Sequence, residues 1–182
     1  MPYNFFLLIG LFTTISSMVF DFGNKKDGAD WIIVNDGVMG GLSRGRVDYT
    51  ENSVIFSGTV SLDNNGGFTS FRSPYKSYDL AIYNRVEIKY RSSGLACALS
   101  FDQYRSFWRP NHKMPLPSSK NQWVTMTANL DELKEYQMGK VTGRRMSENA
   151  SANTIRLGLI TNAKEEGEFQ LEIEYIKFHN SN

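Results

Sequence analysis

Apolar and polar residues alternate along much of the chain with the period of a half-buried strand. Across residues 84–92, Val86, Ile88 and Tyr90 alternate with Arg85, Glu87, Lys89 and Arg91. One face of such a segment makes core and the other meets water. Leu95, Cys97, Leu99 and Phe101 resume the alternation after Ser92-Ser93-Gly94, which predicts an antiparallel pair joined by a turn. Phe169, Leu171, Ile173 and Tyr175 are opposed by Glu168, Gln170, Glu172 and Glu174, so the glutamates are expected in water. Ile155, Leu157 and Leu159 follow the same rule. Shorter strands are read at residues 18–22, from Trp31, at 53–62 with Gly58 as a bulge, at 68–72 before Ser73-Pro74, and at 123–127. Residues 44–49 read as the hairpin return of the Trp31 strand. Asn129-Leu-Asp-Glu132 has the form of a capping box and predicts a short helix to Tyr136, ending near Gly139. Residues 140–153 are polar and read as a long exposed loop. With no internal repeat or linker, the pattern predicts one all-β domain over residues 18–179, an antiparallel β-sandwich with one short helix.

Two loops depart from alternation. Trp31-Ile-Ile-Val-Asn-Asp-Gly-Val-Met-Gly-Gly-Leu-Ser43 is an apolar strand entering a compact turn. Asn and Asp tolerate left-handed backbone and bond their own main chain, and Gly accepts positive φ. Val38 and Met39 are expected to tuck beneath it. Ser61-Leu-Asp-Asn-Asn-Gly-Gly-Phe-Thr-Ser-Phe-Arg72 repeats the order of apolar strand, Asn/Asp, paired glycine and aromatic.

The succession of Trp31, Val-Asn-Asp-Gly-Val-Met-Gly-Gly-x-Ser and Asn-Asn-Gly-Gly-Phe-x-Ser resembles the complex I intermediate-associated protein 30 family. The resemblance continues through Trp123 and Gly158 to the Gly-x-Phe-x-Leu-x-Ile of residues 167–173. It implies a galactose-binding-like sandwich of the jelly-roll kind. It further implies a role in assembling a protein complex, respiratory NADH dehydrogenase in the family's mitochondrial members. Respiratory-complex subunits or assembly intermediates are then the expected partners. One fold hosts many functions, so membership and role are separate statements.

Composition narrows the chemistry. The 182 residues suffice for one domain with a substantial core. Twenty Lys and Arg against 19 Asp and Glu give a net charge of +1, so no bulk field selects nucleic acid. The single cysteine, Cys97, excludes an internal disulfide and a cysteine zinc cluster, and the only two histidines are His112 and His179. Cys97 is expected to be a small buried hydrophobe rather than a nucleophile. Residues 5–12 form an apolar run followed by Thr13, Thr14, Ser16 and Ser17. It is shorter than the roughly 20 residues of a spanning helix. Residues 1–16 therefore read as an export signal lacking a basic start, which would place the protein outside the cytoplasm, or as a hydrophobic first segment, which would leave it inside.

No catalytic constellation, cofactor motif or metal cluster is expected. Asp36 and Asp63 could meet if the loops meet, as a carboxylate pair or, with Asn64, as a calcium site. The alternative is a ladder of side-chain to backbone hydrogen bonds between loops. The glycine pairs lack the helix and lysine of a phosphate loop. Asn149-Ala-Ser151 matches a glycosylation acceptor.

The expected function is a non-catalytic binding module. Asn35, Asp36, Gly37, Met39, Gly40, Gly41, Ser43, Asn65, Gly66, Gly67, Phe68 and Arg72 are expected to shape and lock paired loops, with Ser43 and Arg72 able to reach a ligand. For Tyr104, Phe107 and Trp108, two readings stand: rings filling the core, or a platform stacking on a sugar or peptide. The second makes a carbohydrate-binding module the alternative function, with a glycan as partner.

Overall fold

The computed structural model describes residues 17–162 and 164–181, with Val38 and Met39 described by backbone alone. The hydrophobic segment at residues 1–16 and the expected burial of Val38 and Met39 lie outside the described residues. Two antiparallel sheets face each other. The first runs β3 (Arg44–Tyr49), β4 (Val54–Val60), β13 (Gly167–His179), β6 (Arg85–Gly94), β9 (Val124–Asn129), with β1 (Ser17–Asp21) also on β13. The second runs β11 (Lys140–Arg145), β10 (Lys134–Gln137), β8 (Asn111–Leu116), β7 (Cys97–Asp102), β12 (Arg156–Thr161), β5 (Thr69–Arg72), β2 (Ile32–Asn35).

The inward residues of the alternating segments form one core. Phe22, Phe56, Phe71, Phe101 and Phe178 are fully buried, each contributing about 1.5–3 kcal/mol. Trp31 lies at the centre of an aromatic cluster, its ring centroid 5.9 Å from Phe20, 5.4 Å from Phe22 and 5.3 Å from Phe71. The 13-residue β13 pairs β4 along its first half and β1 along its second, and a register shift between Ile173 and Tyr175 separates the two.

Several sequence expectations are corrected. Residues 44–49 are not the hairpin return of the Trp31 strand, because β2 pairs β5 while β3 pairs β4 in the other sheet. Nor do the two alternating segments around Ser92-Ser93-Gly94 pair with each other. The Leu95 N–H donates to Glu168 O and the Ala96 carbonyl accepts from Asn162 N, carrying the chain from β6 in one sheet to β7 in the other. Alternation shows that a strand has one buried face; it does not say in which sheet. Gly58 marks no bulge, for β4 keeps register with both neighbours. A Cβ there would collide with the Arg44 carbonyl on β3.

The helix expected to reach Tyr136 is a single 3₁₀ turn at Leu130–Glu132. Asn129 makes no side-chain cap bond, and the chain turns into β10. Met138 and Gly139 both have positive φ between the paired Gln137 and Lys140, the geometry of a tight hairpin. The loop expected at residues 140–153 is therefore β11 followed by the short helix α1 (Glu148–Ala152), whose N-cap Ser147 accepts from Ala150 N. Glu172, expected in water, is 4% exposed. It accepts from Ser53 Oγ and Arg91 Nε, both at 2.6 Å.

Candidate functional site

The two glycine-rich loops meet at one rim, and Asp36 joins them. It is 2% exposed. Oδ2 accepts from Ser43 Oγ at 2.5 Å, Gly67 N at 2.8 Å and Phe68 N at 3.3 Å, while Oδ1 accepts from Ser43 N at 3.1 Å. Burial alone would push this carboxyl up, but the hydrogen bonds from Ser43, Gly67 and Phe68 outweigh it and hold Asp36 below its ordinary value. Asn35 repeats the device one residue earlier. Its Oδ1 accepts from Thr69 Oγ1 at 2.5 Å and from Gly45 N, on β3 of the facing sheet, at 3.1 Å. Ser43 also holds the Ser61 backbone, receiving from Ser61 N at 3.1 Å. The corner thus fastens the start of β3 in one sheet to the start of β5 in the other.

Glycines at this corner serve different ends. Gly40 has φ +85° and open space around a Cβ, so it is required by backbone conformation. Gly41 and Gly66 are required by space: a Cβ on Gly41 would collide with the Asp36 carboxyl, and one on Gly66 would lie 2.7 Å from Asp36 Oδ2. Gly37 meets nothing within 4 Å and carries no positive φ. Asn64 and Asn65 both take left-handed φ, and Asn64 Nδ2 donates to the Gly40 carbonyl at 3.0 Å. The backbone at Met39 closes the 3₁₀ turn Asp36–Met39.

This arrangement is a fastening rather than a reaction centre. The Asp36 oxygens are occupied by N–H and O–H donors, whose positive ends point at the carboxylate and repel a cation, and the Asp63 side chain is not among its partners. Among the described residues no group of three or more His, Cys, Asp and Glu side chains converges as a metal site. Ser43 is buried and spent in the corner. Arg72 lies at the other end of β5, about 10 Å along the strand from Thr69, bonded to Ser70 Oγ at 2.7 Å and 3.7 Å from the Asp102 carboxylate. The sequence list thus divides into a buried corner and a separate arginine.

A second region lies at the β8–β10–β11 end of the seven-stranded sheet. Phe107 and Trp108 are 68% and 56% exposed, so their rings do not fill the core. Their centroids are 5.3 Å apart with planes at 83°, which makes a ridge rather than a flat platform. Arg109 covers the Tyr104 ring at 4.1 Å. The Trp108 carbonyl accepts from Gln137 Nε2 at 3.3 Å, which brings the exposed Met138 and Val141 of the β10–β11 hairpin to the same end. An open groove of about 920 Å³ runs beside them, lined by Tyr104, Arg109, His112, Glu135, Arg144 and Asn149 among others. Burial holds His112 below its ordinary value even though Glu135 faces it, and its Nδ1 pairs with Gln103 Oε1 at 3.0 Å. Burial would raise Glu135, but Thr142 and Arg144 donate to it and lower it.

Elsewhere Cys97 is buried and its thiol is pushed up to about 12 by burial, as befits a packed side chain rather than a nucleophile. Among the described residues no helix is long and apolar enough to cross a membrane.

Two facing antiparallel sheets with fastened loops at one rim and exposed rings at another end define an antiparallel β-sandwich. The same fold occurs in a family 11 carbohydrate-binding module from Clostridium thermocellum, solved in complex with a β-1,3-1,4-mixed-linked tetrasaccharide. That similarity has a TM-score of 0.62 at 12% identity, over 93% of this chain and 98% of that one. A mutant family 29 carbohydrate-binding module follows with a TM-score of 0.52 at 10% identity, over 91% and 93%. An agarase matches with a TM-score of 0.58 at 9% identity, over 91% of this chain and 25% of that one. No curated protein sequence matches the chain. Residues 20–173 match the model of the family described as complex I intermediate-associated protein 30, and the chain belongs to that family.

Proposed function

We propose that the chain is a non-catalytic binding module that assists assembly of a protein complex, respiratory NADH dehydrogenase by its family. The exposed ridge of Phe107 and Trp108, at the same end of the sheet as the exposed Met138 and Val141, carries this reading. Two perpendicular rings insert between the side chains of a partner, whereas a sugar face asks for one open plane. Arg109, Arg144 and Arg145 line the adjoining groove and favour a partner with acidic residues around an apolar anchor point. The buried corner at Asp36 supports the sandwich from the far rim without touching the ligand. The test is assembled NADH dehydrogenase on native gels from cells whose only copy carries Phe107→Ala and Trp108→Ala. Loss of assembled enzyme with normal levels of the variant is expected, and wild-type amounts would overturn the proposal.

A second reading, glycan binding, is favoured by the sandwich shared with carbohydrate-binding modules. A glycan array tests it: retained binding after Trp108→Ala would move the sugar away from the ridge, and an array without binding would end this reading.

A further inference from the structure

The outward face of the six-stranded sheet carries a groove apart from both regions described above. β4 pairs β13 as far as Val54 opposite Ile173, and β1 pairs it from Asp21 opposite Tyr175. Since β6 pairs the other edge of β13 along both halves, β1 and β4 share one edge and leave a break between them at Glu174. β1 ends there because Phe22 turns into the core and Gly23 passes against the hairpin tip of β3 and β4, where a Cβ would lie 2.6 Å from the Asn52 carbonyl oxygen. An open groove of about 820 Å³ lies at this break, within the roughly 300–1,000 Å³ of clefts that hold small ligands. Its lining includes Glu172, Glu174 and Tyr175 of β13, Arg91 of β6, and Trp123 just before β9.

A chain of contacts positions these side chains. The buried Glu172 accepts from Ser53 Oγ and from Arg91 Nε, both at 2.6 Å. The Arg91 guanidinium and Lys89 Nζ lie 5.2 and 5.7 Å from the centroid of the Trp123 ring. Lys89 is itself 2.6 Å from Glu174, and the Tyr175 hydroxyl donates to Glu87 at 2.7 Å. The indole is thus held before any ligand arrives, which lowers the cost of binding. Trp123 is nevertheless 40% exposed, and it offers one ring plane, unlike the perpendicular Phe107 and Trp108.

The charges of the groove satisfy one another, Glu172 with Arg91 and Glu174 with Lys89, so it calls for no counter-ion. An anion would meet Glu87 and Glu174, and a cation would meet Arg91 and Lys177. Hydroxyl groups, each both donor and acceptor, suit the carboxylate oxygens and the terminal nitrogens of Arg91 alike. A ring that carries hydroxyls at its edge and C–H groups on its face also matches an indole beside polar groups.

The geometry points to a binding site for a neutral oligosaccharide in this groove, with one sugar ring stacked on Trp123 and its hydroxyls bonded to Arg91 and Glu174. This rests on the glycan reading above and gives it a location away from the Phe107–Trp108 ridge.

Isothermal titration calorimetry of the whole chain tests it, with cellotetraose, laminaritetraose, xylotetraose and mannotetraose as neutral probes and tetragalacturonate as an acidic one. Saturable heat is expected with at least one neutral probe, and affinity for tetragalacturonate at least about tenfold lower. Trp123→Ala is expected to weaken neutral binding at least about tenfold, and Trp108→Ala to leave it within about twofold. Fluorescence of a Trp108→Phe chain, whose remaining indoles are the buried Trp31 and Trp123, gives a readout that does not depend on how Trp123→Ala folds. Its emission is expected to shift to the blue as the sugar saturates. Binding that survives Trp123→Ala, or that leaves this emission unshifted, would overturn the site and leave the glycan reading standing. Equal affinity for tetragalacturonate would overturn the neutral ligand. Absence of heat with every probe would overturn the proposal, and an empty glycan array besides would end the glycan reading with it.

Discussion

Replacing Asp36 by Asn removes one charge and changes little in shape, so the resulting loss measures the corner. With the amide oxygen kept at the Oδ2 position, the bonds from Ser43 Oγ, Gly67 N and Phe68 N survive but become neutral ones. Each such change costs about 1 kcal/mol, given about 1.5–3 kcal/mol for charged bonds against about 0.5–1.5 for neutral ones. The new NH₂ then faces the Ser43 N–H that Oδ1 now serves. That leaves a buried donor against a donor, at a further cost of about 1–3 kcal/mol. The total is about 4–6 kcal/mol, or a melting temperature lower by about 8–24 °C in a domain of this size. Calorimetry or circular dichroism at neutral pH reads it. The sign with pH follows from the lowered Asp36 carboxyl. The native state holds the charged form more tightly, so this stability is present above the ordinary value of 3.8 and is lost as pH falls through the lower folded value. The gap between wild type and Asp36→Asn should therefore narrow in acid. A variant melting within about 2 °C of wild type, an effect below about 1 kcal/mol, or a gap that stays constant into acid, would refute the reasoning.

The corner glycines should separate by mechanism. Gly41→Ala and Gly66→Ala crowd the Asp36 carboxyl and should lower the melting temperature markedly, whereas Gly37→Ala, with open space around it, should leave it unchanged. Equal effects at all three positions would contradict the close-approach argument. Gly40→Val should cost more than about 1 kcal/mol through its left-handed backbone, checked by denaturant titration, where an unshifted midpoint would count against it. Cys97 should react with iodoacetamide far more slowly in the folded protein than after denaturation, since its thiol is buried and pushed up to about 12. Reaction at the rate of a free thiol would contradict its packing. Phe107→Ala with Trp108→Ala should change stability by less than about 1 kcal/mol, because both rings stand in solvent; a large loss would mean that they support the fold.

Much of the fold was legible because a half-buried strand writes its period into the sequence. Residues 85–91 and 167–173 show this most clearly, and their inward residues are the buried ones; Tyr175, expected inward, instead donates to Glu87 on the outward face, because the register shift after Ile173 turns Ile176 and Phe178 into the core. Sheet membership was not legible at the turns, because the polar and glycine residues at Ser92-Ser93-Gly94 serve a crossing between sheets as readily as a hairpin. The segment from Asn129 to Tyr136 misled for a related reason: a cap signature is local, and pairing of Glu135 with His112 on β8 overrode it. The Asn-Asp-Gly corner was visible as a built loop, although the separate uses of Gly37, Gly40 and Gly41 depend on where the Asp36 side chain turns. The burial of Lys113 and Arg156 left no local signal, because both stand at outward-facing positions and are covered by residues distant in sequence, Tyr136 and Asn162 at Lys113 and Tyr75 and Ser73 at Arg156.

Photo-cross-linking from the exposed ridge tests partner docking most directly. With a benzoylphenylalanine in place of Phe107, in the protein's own cells, a subunit or assembly intermediate of respiratory NADH dehydrogenase is expected to be trapped. The same group in place of Ile82, also open to solvent at 57% exposure, is expected to trap none. Absence of such a product at position 107, or equal yield from both positions, would contradict docking through this end of the sandwich.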